Sequence, residues 1–167
     1  MKKKIALLSN VTVDMLARKL KKNYEVYIPA GFDGWGQEIF NQYSPIFECD
    51  AIFVLLDGVE ARQWKNREEA FSRFELWKNL VFNLYNRGGR IPIFISTIDI
   101  KENRIKTVSE RVYCYEWQQK WYETIQSLAE TSNNVYVFDV AQMVSDVGRD
   151  NFYSEKMWYM GSMPYSK

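Results

Sequence analysis

Five short apolar runs, each closed by small or polar residues, alternate along the chain with segments whose apolar positions recur every three or four residues. The first run, Ile5-Ala6-Leu7-Leu8-Ser9, is continuous rather than alternating, as expected of a strand buried on both faces. Asn10 and Thr12 follow as helix caps. The next segment sets Val13, Leu16, Ala17 and Leu20 on one face and Arg18, Lys19, Lys21 and Lys22 elsewhere. Tyr24 to Ile28 reads as a second strand, stopped by Pro29 and Gly31. Segment Gly31 to Gly36 places three glycines around Phe32, Asp33 and Trp35, which suits a loop over a pocket. Gln37 to Phe47 leaves room for a short helix.

Ala51-Ile52-Phe53-Val54-Leu55-Leu56 is the strongest buried strand and ends at Asp57-Gly58. A long helix over Glu60 to Tyr85 follows, with Phe71, Phe74, Trp77, Leu80, Val81 and Leu84 at helical spacing and Gly88-Gly89 closing it. Ile91-Pro92-Ile93-Phe94-Ile95 is a fourth strand leading into Ser96-Thr97 and a charged loop. Val112 to Ala129 is a second amphipathic helix, carrying Trp117, Trp121, Ile125 and Leu128. Asn134 to Phe138 is the fifth strand, ending at Asp139.

Strands and helices alternating in this way predict an α/β fold: a three-layer α/β/α sandwich around a five-stranded parallel sheet, flavodoxin-like in outline. Ligands of such sheets bind beyond the carboxyl ends of the strands, where the strand order switches. That rule gathers Ser9-Asn10, the Gly31 to Gly36 loop, Asp57-Gly58, Ser96-Thr97 and Asp139 along one edge. Gly148 to Lys167 is not strand-like, and Trp158 and Tyr159 are expected to pack back over that edge. No repeat, low-complexity stretch or linker interrupts the 167 residues, so residues 1–167 read as one domain, long enough to bury about two-thirds of its unfolded surface.

Composition narrows the chemistry. The chain contains no histidine, and its two cysteines, Cys49 and Cys114, stand apart. This argues against a zinc site, and no metal or cofactor is expected. A formal net charge of +1 provides no basic excess for nucleic acid. The first strand is followed by Ser9-Asn10-Val11-Thr12, without a glycine-rich phosphate loop. Lys2-Lys3-Lys4 precedes only a brief apolar stretch, and no run approaches membrane-spanning length, so a cytoplasmic protein with no membrane contact is expected. Aromatic residues reach 16%, more than a core needs, so some should line a cleft or a partner surface.

Leu7-Leu8-Ser9-Asn10, Gly36-Gln37, Leu55-Leu56-Asp57-Gly58 and the closing run Gly148-Arg149-Asp150 to Met157-Trp158-Tyr159 and Met163-Pro164-Tyr165-Ser166 together resemble the N-terminal domain of FkbH-like proteins. That domain is itself similar to SGNH hydrolases. In FkbH-like proteins it precedes a haloacid-dehalogenase (HAD)-type phosphatase-like domain that makes an acyl-carrier-linked glyceryl unit. The resemblance runs from Lys4 to Ser166, and the aspartate motif of the phosphatase-like domain is absent from this chain. The resemblance implies an SGNH-hydrolase-like fold, with an acyl carrier protein or a HAD-type phosphatase-like domain as partner.

Carried over position by position, the resemblance places Ser9 where the family has its nucleophile. Gly36, with Gly34 as a rival in the same loop, would offer an oxyanion amide. Asp57 stands where an asparagine is usual, and a carboxylate donates a hydrogen bond only when protonated. The family's base is a histidine near the C-terminus, and this chain has none. Asp139, Asp150 or Glu155 would have to substitute, and a carboxylate titrating near pH ~4 is a poor base for a serine hydroxyl. Asn10, Gly34, Trp35, Gly36, Asp57, Gly58 and Trp158 are the candidate ligand contacts, with Ser9 and Asp150 as candidate catalytic groups. The plainer alternative makes Ser9 and Asn10 a helix cap and turn, and assigns Trp158, Tyr159, Tyr165, Trp77, Trp117 and Trp121 to packing. Three functions remain open on these residues, two of them involving a small ligand. One is a binding module for an acyl-carrier-linked or glyceryl or acyl ligand; the other is a serine esterase or acyltransferase working through Ser9. A scaffold for oligomerisation is a third.

Overall fold

The computed structural model describes residues 1–31, 34–101 and 107–166. Its strands are β1 (Lys4–Ser9), β2 (Glu25–Tyr27), β3 (Ala51–Leu55), β4 (Ile93–Ser96) and β5 (Val135–Phe138). They form one sheet in the order β2-β1-β3-β4-β5, and every pairing is parallel. The connecting helices are α1 (Asp14–Leu20), α2 (Trp35–Phe40), α3 (Arg67–Gly88), α4 (Val108–Thr131), α5 (Val140–Val147), α6 (Arg149–Phe152) and α7 (Glu155–Gly161). The chain steps outward from β1 to β2 and then returns to the far side of β1. The order therefore switches between β1 and β3, and the crevice beyond their carboxyl ends is the natural ligand position.

Side chains alternate across each strand, so the sheet has two distinct faces. Ala6, Leu8, Ile52, Val54, Ile93, Ile95 and Val135 point to the first face, where α2, α3 and α4 cover them completely. The tryptophans gather there: Trp77 meets Trp35, Trp117 and Trp121 edge-on with centroids 5.3 to 6.2 Å apart. Trp117 donates its indole N–H to the Ala70 carbonyl at 2.9 Å, and Trp121 donates to Ser96 at 3.0 Å. Burial of these rings therefore leaves neither donor unpaired. Asn66 caps α3 through Glu69 N, and Thr107 with Glu110 forms a capping box on α4.

The second face carries Ile5, Leu7, Phe53 and Leu55 against the short α1. Phe53 stacks on Phe94 at 4.7 Å and Phe94 on Tyr136 at 5.1 Å, and Tyr136 remains 46% exposed. This face is only partly covered.

Several boundaries differ from the sequence reading. Val13, not Asn10 or Thr12, stands at the N-cap of α1, and it makes no side-chain cap bond. The long helix begins at Arg67 rather than Glu60, because Gly58–Arg62 winds into a 3-10 turn capped by Asp57. The short helix starts earlier, at Trp35, whose buried indole packs against Trp77, and Pro45–Glu48 is a separate 3-10 turn. In the terminal segment Trp158 joins the second-face cluster, with the Arg62 guanidinium 5.9 Å from its ring. Tyr159, the next residue on α7, projects away and is 83% exposed, as the turn of a helix requires of consecutive side chains. No described helix is long and apolar enough to cross a membrane.

Candidate functional site

Ser9 ends β1 and lies in register with Leu55 of β3. Its hydroxyl donates to the Leu55 carbonyl at 2.6 Å and accepts the Val11 amide at 3.2 Å. A hydroxyl has one proton to give, and here the neighbouring strand takes it. Asn10, 4% exposed, turns the other way and clamps the same two strands. Its amide donates to the Asp57 carbonyl at 2.9 Å, and its side-chain oxygen accepts the Asp57 amide at 2.8 Å. Ser9 and Asn10 thus close a turn and staple β1 to the end of β3.

Asp57 is 6% exposed. Its carboxylate accepts the Val59 amide at 2.8 Å and the Tyr165 hydroxyl. Burial pushes its pKa up to about 6, an effect the Val59 amide only partly offsets. Below that pH the group can donate a hydrogen bond, which an ordinary aspartate cannot. Asp99, in the segment after β4, is 8% exposed. It accepts from Arg149 at 2.7 and 3.2 Å and from the Tyr153 hydroxyl at 3.1 Å. Burial, and then the nearby Asp57 charge, raise both the Tyr153 and Tyr165 phenols above the usual range. The two rings stack at 6.4 Å, and their residues form an antiparallel bridge. The terminal segment is thereby strapped over the ends of β3 and β4 through two acids and two phenols.

The glycines differ in what they do. A Cβ on Gly58 would lie 2.6 Å from the Asp99 carbonyl oxygen, and one on Gly34 2.6 Å from the Ala30 carbonyl oxygen, so both permit close backbone approaches. A Cβ on Gly36 would meet Leu80 at 3.3 Å, which places the open side of Gly36 against α3. Trp35, 2% exposed, anchors the loop in the first-face core and contributes to the wall of a cavity of about 440 Å³ over Ser9. Leu7, Thr12, Asp14, Pro29 and Gly34 are among its other lining residues. Phe32 and Asp33, also assigned to this loop by sequence, lie outside the described residues.

The remaining candidates stand elsewhere. Asp150 is exposed on α6 and lines a different cleft of about 760 Å³ with Lys101, Arg111 and Tyr115. Asp139 caps α5 and accepts the Thr97 hydroxyl at 3.0 Å. Glu155 pairs with Arg62 at 3.1 Å and Lys101 at 3.5 Å. None of the three lines the Ser9 cavity. Among the described residues, no group of three or more His, Cys, Asp or Glu side chains is placed to hold a metal ion.

No family model and no curated protein matches the sequence. Solved structures do match. The N-terminal part of the protein BF1531 from Bacteroides fragilis, described as containing a phosphatase domain complexed with Mg, superposes with a TM-score of 0.81 at 16% identity. The match covers 99% of this chain and 47% of that one. A lipase/acylhydrolase from Enterococcus faecalis superposes with a TM-score of 0.59 at 14% identity, over 100% of this chain and 88% of that one. The fold is SGNH-hydrolase-like. The chain spans about half the length of the Bacteroides structure, and at these identities the likeness concerns the fold alone.

The sequence reading overlooked the roles of Asp99, Arg149 and Tyr153. The rule that singled out Asp57 at the end of β3 applies equally to Asp99, three residues beyond β4. A pair of tyrosines twelve residues apart offers no comparable signal until the strap is seen.

Proposed function

We propose that the chain is a non-catalytic binding module on an SGNH-like frame. Its Ser9 cavity receives a small glyceryl or acyl group presented by an acyl carrier protein or a HAD-type phosphatase-like partner domain. The observation that carries this reading is the state of Ser9. Its proton is committed to the Leu55 carbonyl, its oxygen takes the Val11 amide, and no histidine exists in the chain to draw that proton away. Losing the base of such a serine removes several orders of magnitude of rate. The cavity nevertheless offers the polar groups of Ser9, Thr12 and Asp14 beside the apolar Leu7 and Trp35, a mixture suited to orienting a small polar ligand. The Bacteroides structure, about twice as long and described as containing a phosphatase domain, supports a partner of that kind.

The test combines turnover with binding. Chromogenic acyl esters should be hydrolysed no faster by the parent than by Ser9→Ala. Titration with acyl carrier protein and with a phosphatase-like domain should show saturable association with at least one. Turnover that disappears in Ser9→Ala would establish the esterase instead, and failure to associate with either partner would remove the binding reading.

A further inference from the structure

The partly covered second face holds a groove that adjoins the Ser9 cavity at Leu7, Thr12 and Val13. Its upper part, about 270 Å³, is a slot over Leu55 and Phe138, between Val13 and Leu16 of the α1 side and Met143 of α5. Met163 and Tyr165 of the terminal strap contribute to its lining. Its lower part, about 550 Å³, continues over Phe53 and Phe94 to Lys3 and Asp50 at the start of the strands. The two parts share Leu16, Leu55 and Phe138, so they form one trough. Measured along β3 it runs on the order of 17 Å, the reach of an extended alkyl chain.

We infer that this groove binds a linear alkyl chain bearing an anionic head. Both faces of a parallel sheet are normally covered, and here the cover is missing above a floor of aromatic rings. The slot between α1 and α5 is recessed, which a flexible chain can fill and the broad surface of a second domain cannot. Charge selects the head group. Lys19 is the charged residue in the lining of the slot, and it makes no ion pair among the described residues. Arg18, Lys21 and Lys22 add positive charge to the same helix and its end. The acid at the lower end, Asp50, is already held by the Lys4 amide at 2.7 Å and by Lys3. An anionic head therefore belongs at Lys19, with the chain lying over Leu16, Phe138, Phe53 and Phe94. This site is independent of the reading given for the Ser9 cavity.

Calorimetric titration of the full chain with decanoate, dodecanoate and dodecanol tests the inference. Saturable binding of dodecanoate is expected, tightening by about fourfold for each added methylene. Leu16→Glu, at a 40% exposed position shared by both parts of the trough, should weaken binding at least about tenfold. Met143→Glu tests the opposite wall with the same expectation, should Leu16→Glu disturb the fold. Lys19→Glu should weaken dodecanoate about fivefold while leaving dodecanol unchanged. No saturable binding of dodecanoate would overturn the inference, as would undiminished binding by both groove variants. Sedimentation showing a dimer that Leu16→Glu dissolves, with no dodecanoate bound by the parent, would assign the face to a second copy. Binding to anionic lipid vesicles but not to monomeric dodecanoate would assign it to a membrane surface. Either result overturns the proposal.

Discussion

The two faces of the sheet are built from the same strands but are covered in opposite ways. On the first, α3 and α4, of 22 and 24 residues, together with α2 bring Trp35, Trp77, Trp117 and Trp121 against the sheet until each is essentially sealed. On the second, seven-residue α1 and eight-residue α5 leave Phe53, Phe94 and Phe138 only half-buried. The first face secures the fold. The second face holds the apolar groove, and the cavity over Ser9 opens at its upper edge. On this account stability belongs to the first side of the sheet and the proposed binding to the second, and substitutions should separate them.

The largest effect belongs to the sealed face. Trp121→Ala empties the space beside Trp77 and Trp117 and strands the Ser96 carbonyl, so a loss of about 3–5 kcal/mol in urea unfolding is expected. A loss under about 1 kcal/mol would show that the first face is not the structural one.

Asp57 comes next. Its pKa stands near 6 against an ordinary 3.8, so the native state favours the protonated acid. That contribution is complete below about pH 4 and is lost as the pH rises through 6. The loss is on the order of 2–3 kcal/mol. Asp57→Asn keeps an acceptor for Val59 without the charge. Its stability should change little between pH 4 and 7 and should exceed the parent's at neutral pH. A parent curve that rises over the same range would contradict the burial argument.

Phe94→Ala, on the partly covered face, should cost only about 1–2 kcal/mol, because its ring is already half in water. A cost equal to that of Trp121→Ala would erase the contrast between the faces. Ser9→Ala should be mildest, at about 1 kcal/mol for the lost bond to Leu55, measured by thermal unfolding.

The strands were legible because β1 and β3 are unbroken apolar runs, and α3 and α4 because their tryptophans and leucines recur at helical spacing. What escaped the sequence depends on partners far along the chain. Asn10 has the chemistry of a helix cap, but its amide is consumed by Asp57, 47 residues away. Gly36 has the look of an oxyanion glycine until Leu80 of α3 is placed against it. Trp158 and Tyr159 are neighbours of similar character, and only the direction of α7 decides which is covered. Asp99 and Tyr153 are 54 residues apart and acquire meaning together.

The central claim, that Ser9 is a structural and binding residue rather than a nucleophile, is tested most directly by a fluorophosphonate, which captures serines activated by a base. After incubation, mass spectrometry of the peptide containing Ser9 should show it unmodified while a control serine hydrolase is fully labelled. A stoichiometric adduct on Ser9 that accompanies acyl-ester turnover would contradict the account.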